Sequence, residues 1–214
     1  MPSLTFFLYQ LLFVAMMGAV EVLKRTTKIN VEWSRKITHL LCSTGAVGFV
    51  IYLTPYEVLL TVIVFTVALI VSKSTGILTS VHDVPRTTYG EVIFPIAVGL
   101  GALFYHPDSP YAQTESTLPY IYGILIMGLA DLAANLVGHG IPSPILPLSK
   151  RKTLAGTSAF FIVAAIVGIS MGIPLPEAIL FAAILAFIEL VVPYGFDNLF
   201  FPALGAYLMV FSMH

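Results

Sequence analysis

Five groups of polar residues interrupt an otherwise apolar chain, and each combines side chains that could do chemistry. Asp131, Asn135 and His139 stand at i, i+4 and i+8, with Ala130, Ala133, Ala134 and Gly138 around them. That spacing puts the three on one stripe of a helix, and small neighbours let a backbone or a ligand come close. An aspartate inside an apolar run needs a cation, a metal or a water-filled cavity; an interhelix hydrogen bond is the purely structural alternative. Lys150-Arg151-Lys152-Thr153-Leu154-Ala155-Gly156-Thr157 gathers three cations, two hydroxyls and a glycine at the head of another apolar run. Thr153 can cap the helix there, and its first-turn N–H groups with Lys152 offer a phosphate cradle. No G-x-x-x-x-G-K-[ST] precedes it, so it is not a Walker loop.

Three further groups complete the set. Arg35-Lys36-x-x-His39 opens an apolar run with two cations and an imidazole, a reasonable anion site beside a helix N-terminus. Membrane-flanking anchors and a capping histidine explain the same residues. Arg86-Thr87-Thr88-Tyr89-Gly90-Glu91, before Phe94-Pro95, bends the chain and leaves Glu91 at the interface with Arg86 as its sequence-local cation. A snorkelling glutamate in a tyrosine belt is the bland reading. Last comes Glu189-x-x-x-Pro193-Tyr194-Gly195-x-Asp197-Asn198-x-x-x-Pro202; Asp197 can serve the start of the final helix, which leaves Glu189 inside the apolar run unexplained.

Together these residues make the mixture that phosphoryl transfer asks for. Carboxylates hold Mg²⁺, cations and helix N-termini hold a polyphosphate, and one base or positioning group handles the attacking hydroxyl. Zinc chemistry has no HExxH and no Cys/His cluster to support it.

The elements that position them are membrane helices. Apolar residues make up 58% of the 214, charged residues only 10%, and mean hydropathy is +0.96. Such a chain has too little polar surface for a soluble enzyme; it is neither disordered nor a disulfide scaffold, since Cys42 is its single cysteine. A net charge of −1 gives no basic footprint for nucleic acid. Runs near 4–23, 37–53, 57–73, 90–105, 119–138, 154–172, 177–193 and 198–213 approach the roughly 20 residues that a span needs. The fold class expected is therefore an all-α integral membrane protein, a single polytopic bundle of about eight transmembrane helices. The first run has no basic segment before it, which reads as a retained anchor. Every Lys and Arg falls in the odd-numbered loops, so the positive-inside tendency makes that face cytoplasmic and puts both termini opposite. All five polar groups lie toward the same face, with Asp131 about 10 Å inside its helix end by a 1.5 Å rise per residue.

At this point the motifs resemble those of the CTP-dependent polyprenol kinase family, which includes dolichol, phytol and farnesol kinases and the yeast-type diacylglycerol kinases. Phosphatidate cytidylyltransferases are distant relatives. The resemblance runs from about 33 to 205. Arg35-Lys36-x-x-His39 is similar to the family's RKxxH, and the Gly90-Glu91 element with Phe94-Pro95 to its short Gly-Glu element. Asp131-x-x-Ala134-x-x-x-Gly138 is similar to GDxxAxxxG, and Lys152-Thr-Leu-Ala-Gly156-Thr157 to K-[ST]-x-[EA]-G-[ST]. Glu189 with Gly195-x-Asp197-Asn198-x-x-x-Pro202 is similar to the closing E…DN…P element. Ala130 replaces the glycine that usually precedes the aspartate, and Ala155 stands where dolichol kinases usually have Glu, which favours the phytol-kinase and diacylglycerol-kinase side.

The resemblance implies transfer of the γ-phosphate of CTP to a lipid hydroxyl with Mg²⁺. Asp131 would hold the metal or position the nucleophile, Asn135 beside it, with Glu91 and Glu189 as further metal candidates. Lys152, Thr153, Gly156 and Thr157 would cradle phosphates, Arg35 and Lys36 would complete the anion site, and Asp197 and Asn198 would close it. His39 would relay a proton, its ordinary pKa being near neutral. Aromatic and small residues along the spans would form the lipid groove. Two other activities use similar parts: a cytidylyltransferase making a CDP-lipid, and a non-enzymatic lipid transporter or flippase, which would put broken helices and polar residues at midplane.

Overall fold

The computed structural model describes residues 2–27, 29–83, 88–149 and 151–213; Arg86, Thr87 and Lys150, named above, lie outside them. The described residues form helices and no strand: α1 (Leu4–Thr26), α2 (Val31–Val47), α3 (Phe49–Tyr52), α4 (Pro55–Thr75), α5 (Thr79–His82), α6 (Gly90–Tyr105), α7 (Leu118–Leu125), α8 (Asp131–Gly140), α9 (Leu154–Ser170), α10 (Leu175–Val191) and α11 (Asp197–Ser212). A π-helical turn, Ile126–Ala130, joins α7 to α8 in one 23-residue rod.

Every apolar run in the sequence is helical here, but three helices are long and apolar enough to cross a membrane: Leu4–Thr26, Pro55–Thr75 and Leu118–Gly140. The others are shorter. α9 and α10 have 17 residues each, about 25 Å at 1.5 Å per residue against a hydrocarbon core near 30 Å.

Local chemistry fixes the helix starts. Ser3 and Asn30 accept from the N–H groups of Phe6 (3.2 Å) and Glu32 (2.9 Å). Thr54 and Glu57 form a reciprocal capping box ahead of Pro55, and the Glu57 carboxylate also takes the Ser3 N–H at 2.6 Å, tying the starts of α1 and α4 together. At the other end of the bundle, Glu21 of α1 accepts from Ser80 N–H (2.8 Å) and Thr79 Oγ1 (2.9 Å) of α5.

The core is apolar and aromatic. Tyr120, Tyr122, Phe160, Phe181 and Phe201 are fully buried, with the Phe160 and Phe201 rings 5.1 Å apart. α9 packs between α8 and α10, α11 against α6 and α7, and α4 against α6. The α7–α11 crossing is close because neither Gly123 nor Gly205 has a side chain: a Cβ on Gly205 would sit 3.1 Å from the Gly123 Cα, and one on Gly123 would run into the Pro202 carbonyl. Outward faces of α1 (Leu4, Phe7, Leu11) and α4 (Leu59, Ile63, Val67) leave large apolar side chains exposed, as a lipid-facing surface would.

Candidate functional site

Asp131 is the first residue after the π-helical turn, a feature that recurs at functional positions and that nothing in the sequence announced. Gly128 in that turn faces α2, where a Cβ would lie 2.7 Å from the Ser43 Cβ. The close approach lets Lys36 reach across, and its ammonium forms a buried ion pair with the Asp131 carboxylate. Lys36 does not open α2 as the sequence suggested. The helix begins at Val31, capped by Asn30, so Lys36 lies in the second turn with its side chain turned into the bundle. The cation Asp131 requires is this lysine, and a carboxylate left there without one would be strongly destabilising.

His39 lies one turn beyond Arg35. Its ring stands edge-on to Phe94 with centroids 4.7 Å apart and is within electrostatic reach of Asp131. The Nε2 atom is buried without a partner among the described residues, and so is Arg35 Nε. Arg35 Nη2 lies 3.5 Å from Glu32. Asn135 follows Asp131 by one turn and is half-buried; its backbone carbonyl meets His139 Nδ1 at 2.9 Å, and His139 is exposed.

A second group forms where α9, α10 and α11 meet. Ahead of α9 a bridge joins Ile145 to Thr153, and Leu146 N–H donates to the Lys152 carbonyl (2.9 Å). This presents Lys152 to Glu189 in an ion pair and to Asp197 at 3.5 Å. Thr157 Oγ1 donates to the other Glu189 oxygen at 3.3 Å. Burial alone would push the Lys152 ammonium down, but Asp197, Glu189 and Asp131 outweigh it and hold the pKa above the ordinary lysine value.

The head of α9 differs from a phosphate cradle. Its first-turn donors are occupied: Leu154 N–H by the Pro144 carbonyl (2.9 Å), Ala155 N–H by Ser143 Oγ (3.0 Å), and Gly156 N–H by the capping Thr153 Oγ1 (3.2 Å). Gly156 has a packing reason of its own. A Cβ there would meet the Ala134 carbonyl at 2.9 Å and the Gly138 Cα at 3.2 Å, so the two glycines let α8 and α9 cross. A phosphate at this end would depend on the Lys152 side chain and not on backbone N–H groups.

The Tyr194-Gly195 turn sets the start of α11. Gly195 has φ +85°, and its Cα lies against Gly90, where a Cβ would come within 2.8 Å of the Gly90 backbone. Tyr89 N–H donates to the Tyr194 carbonyl (3.0 Å). The contact seats α6 beside α11, with buried Asn198 against Gly90 and the Asp197 carboxylate accepting from Asn198 N–H (3.1 Å).

Glu91 stands apart from Asp131. Its partner is Lys73, 2.6 Å away; the Arg86 that proximity in sequence suggested lies outside the described residues. His82 Nδ1 lies 3.7 Å from the same carboxylate oxygen, and His82 Nε2 is 2.6 Å from Ser72 Oγ. Lys73, His82 and Ser72 were missed by sequence reasoning. The one signal available was a histidine in a polar connection beside a lysine at a helix end.

The acids and bases thus form two linked groups, Lys36–Asp131 and Lys152–Glu189–Asp197, with Lys73–Glu91 separate. Among the described residues no set of three or more His, Cys, Asp or Glu side chains is arranged to hold a metal ion. Asp131, Glu189 and Asp197 do interact electrostatically with one another, three carboxylates against the two ammoniums of Lys36 and Lys152. Mg²⁺ commonly takes one or two carboxylates and completes its shell with water and phosphate oxygens; Asp131 and Glu189 are the carboxylates available here, each already paired with a lysine.

A cavity opens on the other side of His39. Arg35, His39 and Glu91 line its polar part, and Phe13, Met17, Phe49, Phe65 and Leu69 much of the rest. Its empty space, mouth included, is about 700 Å³. His39 therefore stands between an apolar cavity and the charged groups around Asp131. No protein-family model matches the chain, and neither a curated protein nor a solved structure matches it.

Proposed function

We propose that the protein is a polytopic membrane lipid kinase of about eight spans, transferring the γ-phosphate of CTP to the hydroxyl of a lipid alcohol. The observation that carries this reading is the position of His39, electrostatically coupled to the buried Lys36–Asp131 pair on one side and facing an apolar cavity on the other. A lipid hydroxyl and a charged phosphate donor could meet there. The charged end would be cytoplasmic by the distribution of Lys and Arg, with both termini opposite.

Each residue then has a task. The Lys152 side chain, partly open to solution, and Arg35 attract the triphosphate. Asp131 or Glu189 would supply one or two ligands to an Mg²⁺ completed by water and phosphate oxygens, and the ion would neutralise charge on the transferring phosphoryl group. Lys36 keeps Asp131 ionised and fixed. His39 takes the proton of the acceptor hydroxyl as its oxygen bonds to the γ-phosphorus. The bond to the β–γ bridging oxygen breaks, and CDP leaves with that electron pair. The resemblance of the motifs supports CTP over ATP.

Purified protein with Mg²⁺, CTP labelled at either the γ or the α phosphorus, and phytol, farnesol, a long polyprenol or diacylglycerol provides the test. Label in lipid from the γ position is expected. Label from the α position alone, on a lipid phosphate, means a cytidylyltransferase; no labelled lipid from any donor or acceptor removes the kinase reading.

A further inference from the structure

We infer that the cavity between α1, α2, α4 and α6 is the acceptor site, and that it takes a simple alcohol with a hydrocarbon tail in preference to a diacylglycerol; this rests on the kinase reading above. Three buried polar atoms without partners among the described residues belong to side chains lining this one cavity: Arg35 Nε, His39 Nε2 and Glu91 Oε2. Arg35 and His39 are a turn apart on α2, and Phe94, which His39 meets edge-on, lies three residues beyond Glu91 on α6. Buried polar atoms of native proteins are almost always satisfied, so three in one place mark where a ligand's polar group belongs.

The chemistry of the three selects the group. Arg35 Nε–H can only donate, and Glu91 Oε2 can only accept while Glu91 is ionised. A neutral His39 ring can offer either a lone pair or an N–H at Nε2. One hydroxyl satisfies such a set, accepting from Arg35 and donating to His39 or Glu91. A phosphate or carboxylate head would face the Glu91 charge. Beyond the head the walls supply hydrocarbon contact from Phe13, Met17 and Phe65. The threonine hydroxyls there, Thr38 and Thr61, already donate to the Ser34 and Glu57 carbonyls (3.0 and 2.9 Å). The ester carbonyls of a diacylglycerol would find no free hydroxyl among them, and burying such groups unpaired is unfavourable.

The test is photo-crosslinking, without nucleotide, of the full chain in detergent to a farnesol analogue carrying a diazirine on its tail. Adducts are expected on α1, α2 and α4 at the cavity wall, competed by unlabelled farnesol at concentrations at least tenfold lower than by dioleoylglycerol. Ala46→Phe, which fills the cavity, should cut adduct yield tenfold or more; if that variant does not fold, the wild-type adduct map decides. Adducts mapping outside the cavity, or equal competition by dioleoylglycerol, overturn the assignment. Cavity adducts in a protein that phosphorylates no lipid leave the site standing and refute the kinase reading. Phosphorylated farnesol with adducts elsewhere does the reverse.

Discussion

Breaking the Lys36–Asp131 pair from one side should damage the protein more than deleting it altogether. Both residues are 7% exposed. Lys36→Met leaves a buried carboxylate without its cation, a change that costs about 3–5 kcal/mol. At roughly 2–4 °C per kcal/mol for a chain of this size, Tm should fall by about 6–20 °C. Asp131→Leu leaves the buried Lys36 ammonium without its counter-ion, likewise a cost of about 3–5 kcal/mol. The double variant Lys36→Met/Asp131→Leu replaces both charges with apolar side chains, which is often near neutral for stability, so Tm should return toward wild type while phosphate transfer stays abolished. Thermal unfolding of the detergent-purified protein, followed by circular dichroism beside the transfer assay, gives all corners of the cycle. If the losses of the single variants simply add in the double variant, the two side chains do not form a buried pair and the site built on them is wrong. Near-wild-type turnover by Asp131→Asn would remove its central acid.

Three other outcomes follow from the same geometry. Gly156→Ala should cost about 1–3 kcal/mol as overpacking, because its Cβ meets the Ala134 carbonyl at 2.9 Å; the drop in Tm measures it. Gly195→Ala combines a positive φ, unfavourable by about 1–2 kcal/mol for an L-residue, with a backbone contact at Gly90; it should lower both Tm and turnover, since the turn seats Asp197. Lys152 has a raised pKa, so its attraction to Asp197 and Glu189 is fully present below the ordinary lysine value of 10.5 and fades only as pH climbs through the higher folded value. The Tm difference between wild type and Lys152→Met should therefore hold steady from neutral pH to about pH 10; a difference that vanishes near pH 8 contradicts the arrangement.

Much of the helical layout was legible because apolar runs and caps are local properties. Thr153 before α9 and the small residues around Asp131 could be read directly. Partner choice could not. Asp131 pairs with a lysine 95 residues away, and Glu91 with Lys73 of α4, because neighbours in a bundle are set by packing and not by order. Gly156 resembled a phosphate-loop glycine in sequence, yet its position is explained by helix crossing; a bare glycine carries the same signal for both. The π-helical turn leaves no compositional mark, and the orphaned atoms of Arg35, His39 and Glu91 become visible only when α2 and α6 are brought together.

The long separation between Lys36 and Asp131 bears on biogenesis. As the chain emerges, α2 is complete well before α8 exists, so its lysine has no counter-ion during that interval. On the eight-span arrangement proposed above, its flexible stem would hold the ammonium at the aqueous boundary, and α2 would settle to final depth only after α8 arrives. The late-made helices thereby complete the early ones, and a chain cut short before residue 131 would carry a half-built membrane segment for quality control to find.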